Sequence, residues 1–133
     1  MHLSLLAEAY GKLGNPEAGL SLLGEAFTHI EKTDERFYEA ELCRLQGELL
    51  LKTKGQPEPQ AEVCFQQAIE VARRQEAKLW ELRATVSLAR LWQRQGKSEQ
   101  ARQMLAQIYG WFTEGFDTAD LQETKRLLDD LSV

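Results

Sequence analysis

The side chains of this chain that could do catalytic work are two histidines, two cysteines and several carboxylates, and their spacing argues against catalysis in each case. His2 stands at the extreme end. His29 lies between Thr28 and Ile30 with only Glu25 as an acid at helical spacing, short of the partnered arrangement that acid–base work needs. Both read as surface residues. Cys43 and Cys64 have no CxxC spacing and no histidine cluster beside them. They are expected to be buried free thiols, packing as small hydrophobes, rather than a zinc site or a redox pair. Asp129 with Asp130, and Glu17, Glu25 and Glu31, read as solvated helix faces. Neither GxxxxGK[ST] nor GxGxxG occurs, so nucleotide binding is unsupported. No catalytic residue, cofactor or metal is expected.

Two remaining patterns concern binding. At 100° per residue Arg83, Ser87, Arg90 and Arg94 fall within about a 60° arc of one helix, with Thr85, Leu88, Ala89 and Trp92 on the opposite side. The stripe is therefore expected to be displayed outward. The matching face of the preceding stretch would present Glu41, Arg44, Glu48 and Lys52. Guanidinium groups suit bidentate recognition of carboxylates, which makes an acidic peptide or an acidic helix of a neighbouring domain the expected partner. The alternative is a solvated face whose charges pair between helices. Tyr109, Trp111, Phe112 and Phe116 form the second pattern, four aromatics in eight residues beside glycines. They are either a docking patch or a hydrophobic plug that seats the last helix.

The elements that position these residues follow from a repeat. Gly14, Gly55 and Gly96 stand 41 residues apart both times, each between two apolar-periodic stretches. The unit is helix, turn, helix. In the first, Leu3, Leu6, Ala7 and Tyr10 precede the glycine, and Gly19, Leu22, Leu23, Ala26, Phe27 and Ile30 follow it. Asn15, Pro16 and Glu17 between them form a helix start with a capping side chain, a first-turn proline and an early acid. The second unit is expected to start at Thr33 or Asp34 and run through Leu42, Leu45, Leu49 and Leu50 to about Lys52. After a turn about two residues longer than the others, it resumes with Ala61, Cys64, Phe65, Ala68, Ile69 and Ala72. The third has Leu82, Leu88 and Trp92 before Gly96, then Ser98 as a cap and Ala101, Met104, Leu105 and Ile108.

A last helix, capped by Asp117 or Thr118, carries Leu121, Leu127, Leu128 and Leu131, and its Gln122, Glu123, Lys125, Arg126 and Asp129 are expected to face water. The reading is thus seven helices in one domain: pairs over about 2–31, 34–75 and 78–109, and a capping helix over about 117–131. Helices before Gly55 and Gly96 are expected to run about 18 residues, whereas only 13 residues precede Gly14. This suggests a fragment of a longer repeat protein, the alternative being a natively short first helix.

Composition narrows the class further. A net charge of -5 and a pI near 5.1 speak against a protein that neutralises nucleic-acid phosphates. The sequence has no apolar run near the roughly 20 residues that span a bilayer and no signal-peptide layout at its start. Neither a nucleic-acid nor a membrane partner is expected, and a cytoplasmic location is the default.

The helix-pair pattern resembles the tetratricopeptide repeat over nearly the whole chain, through Leu88, Ala89, Trp92, Gly96, Ala101 and Leu105 in the third unit. In the first unit the matching residues are Leu6, Ala7, Tyr10, Gly14, Gly19, Leu23 and Ala26. The second unit departs, with Gly47 and Leu50 before a longer turn and Ala61, Phe65 and Ala68 after it; small residues there let helices approach closely. A period of 41 against the usual 34, and the lack of the motif-ending proline, point to a longer-helix subclass. The resemblance implies an all-α right-handed superhelix of about three antiparallel pairs plus a capping helix. It also implies a non-enzymatic scaffold whose first helices line a concave groove.

That groove would hold Arg44, Glu48, Lys52, Arg83, Ser87, Arg90 and Arg94, with Trp111, Phe112 and Phe116 as a possible docking patch and a protein, peptide or neighbouring domain as partner. A second likeness is local: SLARLWQRQGKSEQAR and YGWFTEGFDTADLQETKRLLDDL resemble the tail of large bacterial signalling proteins. Those proteins join a nucleotide-cyclase or other output domain to an AAA-type ATPase and a C-terminal tetratricopeptide array. The resemblance implies a regulatory interaction module, its rival being a structural spacer or homodimerisation element.

Overall fold

All three periodic glycines adopt left-handed backbone, with φ of +85° at Gly14, +85° at Gly55 and +80° at Gly96. The period therefore marks turn positions held in a conformation costly for any residue with a Cβ. Around these turns the computed structural model describes residues 14–33, 38–53, 55 and 57–132. Its helices are α1 (Pro16–Thr33), α2 (Glu39–Leu50), α3 (Glu58–Arg74), α4 (Lys78–Arg94), α5 (Ser98–Tyr109) and α6 (Ala119–Leu131). No strand occurs among the described residues. The helix expected before Gly14, with Leu3, Leu6, Ala7 and Tyr10, lies outside them, as does Asp34.

Ion pairs show how the helices run. Arg73 at the end of α3 donates to Glu81 at the start of α4 at 3.0 Å, and Arg94 at the end of α4 donates to Glu58 at the start of α3 at 3.3 Å. Helices α3 and α4 are thus antiparallel. Arg83 and Arg90 of α4 meet Asp120 and Glu123 of α6 in the same chain order, so α4 and α6 run the same way. Helices α2, α4 and α6 form one layer, with contacts between α2 and α4 and between α4 and α6, and each packs on the intervening second helix. Two apolar clusters between the layers centre on Phe65 with Leu88 and Leu91, and on Leu82, Leu105, Leu121, Leu127 and Leu131. Leu128 packs only partly buried at the edge of the second. A third joins Leu23 of α1 to Leu42, Leu45 and Leu49 of α2.

Several local expectations hold. Asn15 accepts from the Ala18 amide at 3.3 Å with Pro16 opening α1, and Thr118 accepts from the Leu121 amide at 3.4 Å to cap α6. Others are corrected. Thr33 ends α1 instead of capping the next helix. Ser98 is the first residue of α5, and Lys97 takes the cap position without a side-chain hydrogen bond. The reason is the repeat register: Gly96, Lys97 and Ser98 occupy the places of Gly14, Asn15 and Pro16.

The helix before Gly96 has 17 residues, close to the expected length, but the one before Gly55 has 12. It stops at Leu50 because the Lys52 and Thr53 amides bond three residues back, to Leu49 and Leu50, and the Thr53 hydroxyl donates to the Leu50 carbonyl at 2.7 Å. The connection to α3 is correspondingly longer than expected.

Glycine position predicts opposite effects of one substitution. Gly96→Ala places a Cβ on left-handed backbone and is expected to destabilise by about 1 kcal/mol. Gly24→Ala sits within α1 with open space among the described residues and should stabilise by up to about 1 kcal/mol. Urea midpoints of both variants check the signs.

Candidate functional site

Helices α2, α4 and α6 bound a groove of about 390 Å³. Leu82, Val86 and Ser87 of α4 lie along it; Glu41, Arg44 and Glu48 come from α2, and Asp120 and Glu123 from α6. The layer of alternate helices brings them together: seven-residue spacing, two helical turns, puts Arg83 and Arg90 on one side of α4, and Ser87 falls between them. Ser87 is not displayed outward, being 5% exposed, because its short side chain ends below the level of the two arginines. Arg94 is not in the groove lining; its guanidinium reaches Glu58 of α3. Lys52, beyond the end of α2, is exposed and also outside the lining.

The arginines of the groove are occupied by the chain's own carboxylates. Arg83 donates through Nε and Nη2 to both Asp120 oxygens at 3.1–3.3 Å and lies 5.4 Å from the Trp80 ring centre. Arg90 donates to Glu123, and Arg44 to Glu41, three residues earlier on its own helix. Asp120 and Glu123 are the residues that sequence reasoning missed: Glu123 was expected to face water. The signal was present, since both share a helical face with Thr124, Leu127 and Leu131, all buried. Their partners lie more than thirty residues away, where no local pattern reaches.

The aromatic segment divides its roles. Phe112 and Tyr109 pack against the α4–α5–α6 cluster, and Tyr109 meets Phe116 with ring centres 5.7 Å apart. Trp111 is 56% exposed, edge-on to Phe112, with the Lys78 ammonium 5.6 Å from its ring centre; Phe116 is 46% exposed.

Cys43 and Cys64 are buried and free, as expected. Burial foremost, then Glu39 and Cys64 nearby, pushes the Cys43 thiol up to about 12, and burial also raises Cys64. Neither is a thiolate near neutral pH. An unfolded thiol ionises near 9 while native Cys43 holds its proton to about 12. Its contribution to stability is therefore complete below pH 9 and is lost as pH rises from 9 to 12. The alkaline fall in thermal midpoint should be shallower in Cys43→Ala than in wild type, and Ellman's reagent should label neither thiol without denaturant. His29 lies where side chains are outside the described residues, and His2 is outside them altogether. Among the described residues no cluster of three or more metal-ligating side chains occurs, and no helix is long and apolar enough to cross a membrane.

The family model of the tetratricopeptide repeat matches residues 1–25 and 82–107. No curated protein matches the chain. The second matched segment covers most of α4, the Gly96 turn and most of α5, and α4 is the central helix of the groove. Helix pairs, left-handed glycine stops and this match together support the tetratricopeptide repeat family, and the chain folds as a tetratricopeptide-like helical array.

Proposed function

We propose that this chain is a non-enzymatic protein-interaction module that holds a protein segment or a neighbouring domain in the groove between α2, α4 and α6. Tetratricopeptide repeats in general mediate protein–protein interaction and are not catalytic, which supports the reading at the level of the family. The observation that carries it to a site is the groove itself, whose central helix α4 presents Leu82, Val86 and Ser87 together with Arg83 and Arg90, between the charged side chains of α2 and α6. Such a surface offers hydrogen bonds and charge pairing to a bound segment, and each of its arginines is already held by a carboxylate of the chain. The finer context we propose is the C-terminal regulatory part of a cytoplasmic bacterial signal-transduction protein, resting on the likeness of residues 87–102 and 109–131 to the tails of cyclase- and AAA-type ATPase-bearing proteins.

Ser87→Trp tests the site, because an indole at that position projects into the groove. With circular dichroism showing both proteins folded, a partner captured by wild type and lost by Ser87→Trp supports groove binding. Equal capture by both argues for a surface elsewhere. The rival spacer or homodimer reading has its own observation, the exposed Trp111 and Phe116. It predicts a dimer in sedimentation equilibrium that Trp111→Ser with Phe116→Ser converts to monomer.

A further inference from the structure

We infer that the groove selects a basic segment rather than an acidic one, an inference that rests on the groove being the interaction surface. The three guanidinium groups in the lining each already hold a carboxylate of the same chain, Arg44 on Glu41, Arg83 on Asp120 and Arg90 on Glu123. Glu48, the remaining charged residue of the lining, has no ion pair among the described residues. The charge left uncompensated in the groove is therefore negative, and the chain as a whole carries -5.

The two signs of ligand meet this arrangement unequally. A carboxylate accepts at about four lone-pair sites, so Glu41, Asp120 and Glu123 can receive a further ammonium or guanidinium while keeping their present partners. An acidic ligand that reaches the remaining N–H groups of Arg83 and Arg90 instead meets Glu48, Asp120 and Glu123 at close range, in a lining with four carboxylates against three guanidinium groups. The helix that carries Asp120 and Glu123 is anchored by Leu121, Leu127 and Leu131, each at most 6% exposed, so their charge stays beside the groove. Arg83 is further held by Trp80. Lys52, one turn beyond Glu48, is exposed and lies outside the lining.

Titration of the isotope-labelled chain with hexalysine and, separately, hexaglutamate at low ionic strength tests this by amide shift mapping. The expected result is hexalysine shifts concentrated on α2, α4 and α6 around the groove. Binding should weaken about two- to fivefold in Glu48→Gln, as for a partly exposed ion pair, and stay unchanged in Glu114→Gln on the α5–α6 connection. Hexaglutamate in the groove would overturn the polarity while leaving the interaction surface intact. Hexalysine shifts scattered over the acidic surface, or insensitive to Glu48→Gln, would overturn the polarity too. Absence of both peptides from the groove would overturn it and count against the groove as the binding site.

Discussion

Ending the chain before Ala119 is expected to abolish cooperative folding of α4 and α5. The deletion removes Leu121, Leu127 and Leu131 from the cluster that contains Leu82, Val86, Leu105 and Ile108, and leaves those residues facing water. Three leucines at about 1.5–3 kcal/mol each come to roughly 5–9 kcal/mol. That figure assumes an extended unfolded chain and is an upper estimate. It is still comparable with the whole stability of an ordinary domain, about 5–15 kcal/mol. The deletion also frees Arg83 and Arg90, but half-exposed pairs contribute only about 0–1 kcal/mol each, so apolar burial decides the outcome.

Leu127→Ala is the milder form and should cost about 2–5 kcal/mol. Because an array is held by neighbour contacts, its effect should fade along the chain. Amide hydrogen exchange should show protection lost first in α5 and α6 and retained longest in α1 and α2. Uniform loss across all helices would mean that the array unfolds as one unit, and an unchanged melt on deletion would show that α6 is not part of the core.

Phe65→Ala is expected to destabilise by about 3–5 kcal/mol, the range for a large aromatic removed from a fully enclosed site. Phe65 is seated against Gly47 of α2: a Cβ built on Gly47 would lie 2.5 Å from Cε1, 2.8 Å from Cδ1 and 3.0 Å from Cζ of the ring. The glycine is there because the ring occupies the space its side chain would need.

Gly47→Ala alone should therefore cost about 1–3 kcal/mol of overpacking, reduced by the roughly 1 kcal/mol that alanine gains over glycine within a helix. The two changes should not add. In the double variant the new methyl group enters the void left by the ring, and the loss should fall short of the sum by about 0.5–3 kcal/mol, measured by urea denaturation of all four proteins. Strict additivity would show that ring and glycine are not the contact that sets the α2–α3 distance.

Among the described residues the helices, their order and the glycine turns were legible in the amino-acid sequence, because each depends on neighbours in the chain, while the length of α2 was not. Glycines 41 residues apart marked left-handed stops, Asn15 with Pro16 and Thr118 marked helix starts, and three- and four-residue apolar spacing marked the buried faces. Gly47 was legible as a small residue of the second unit that lets helices approach closely; that the Phe65 ring is what fills the space was not.

Tertiary structure alone decided what the charges do. Arg83, Arg90 and Arg94 share one face of α4, yet the first two meet carboxylates on α6 and the third one on α3. One helical face turned into two sites because three helices surround it. Coulomb pairing depends on distance between elements, and helical periodicity carries no record of which element lies opposite. For the same reason Ser87 became part of the groove wall and the α6 carboxylates came to pair with α4, turning a stripe that reads as basic in the sequence into a surface where, among the described residues, Glu48 is the charge without an ion pair.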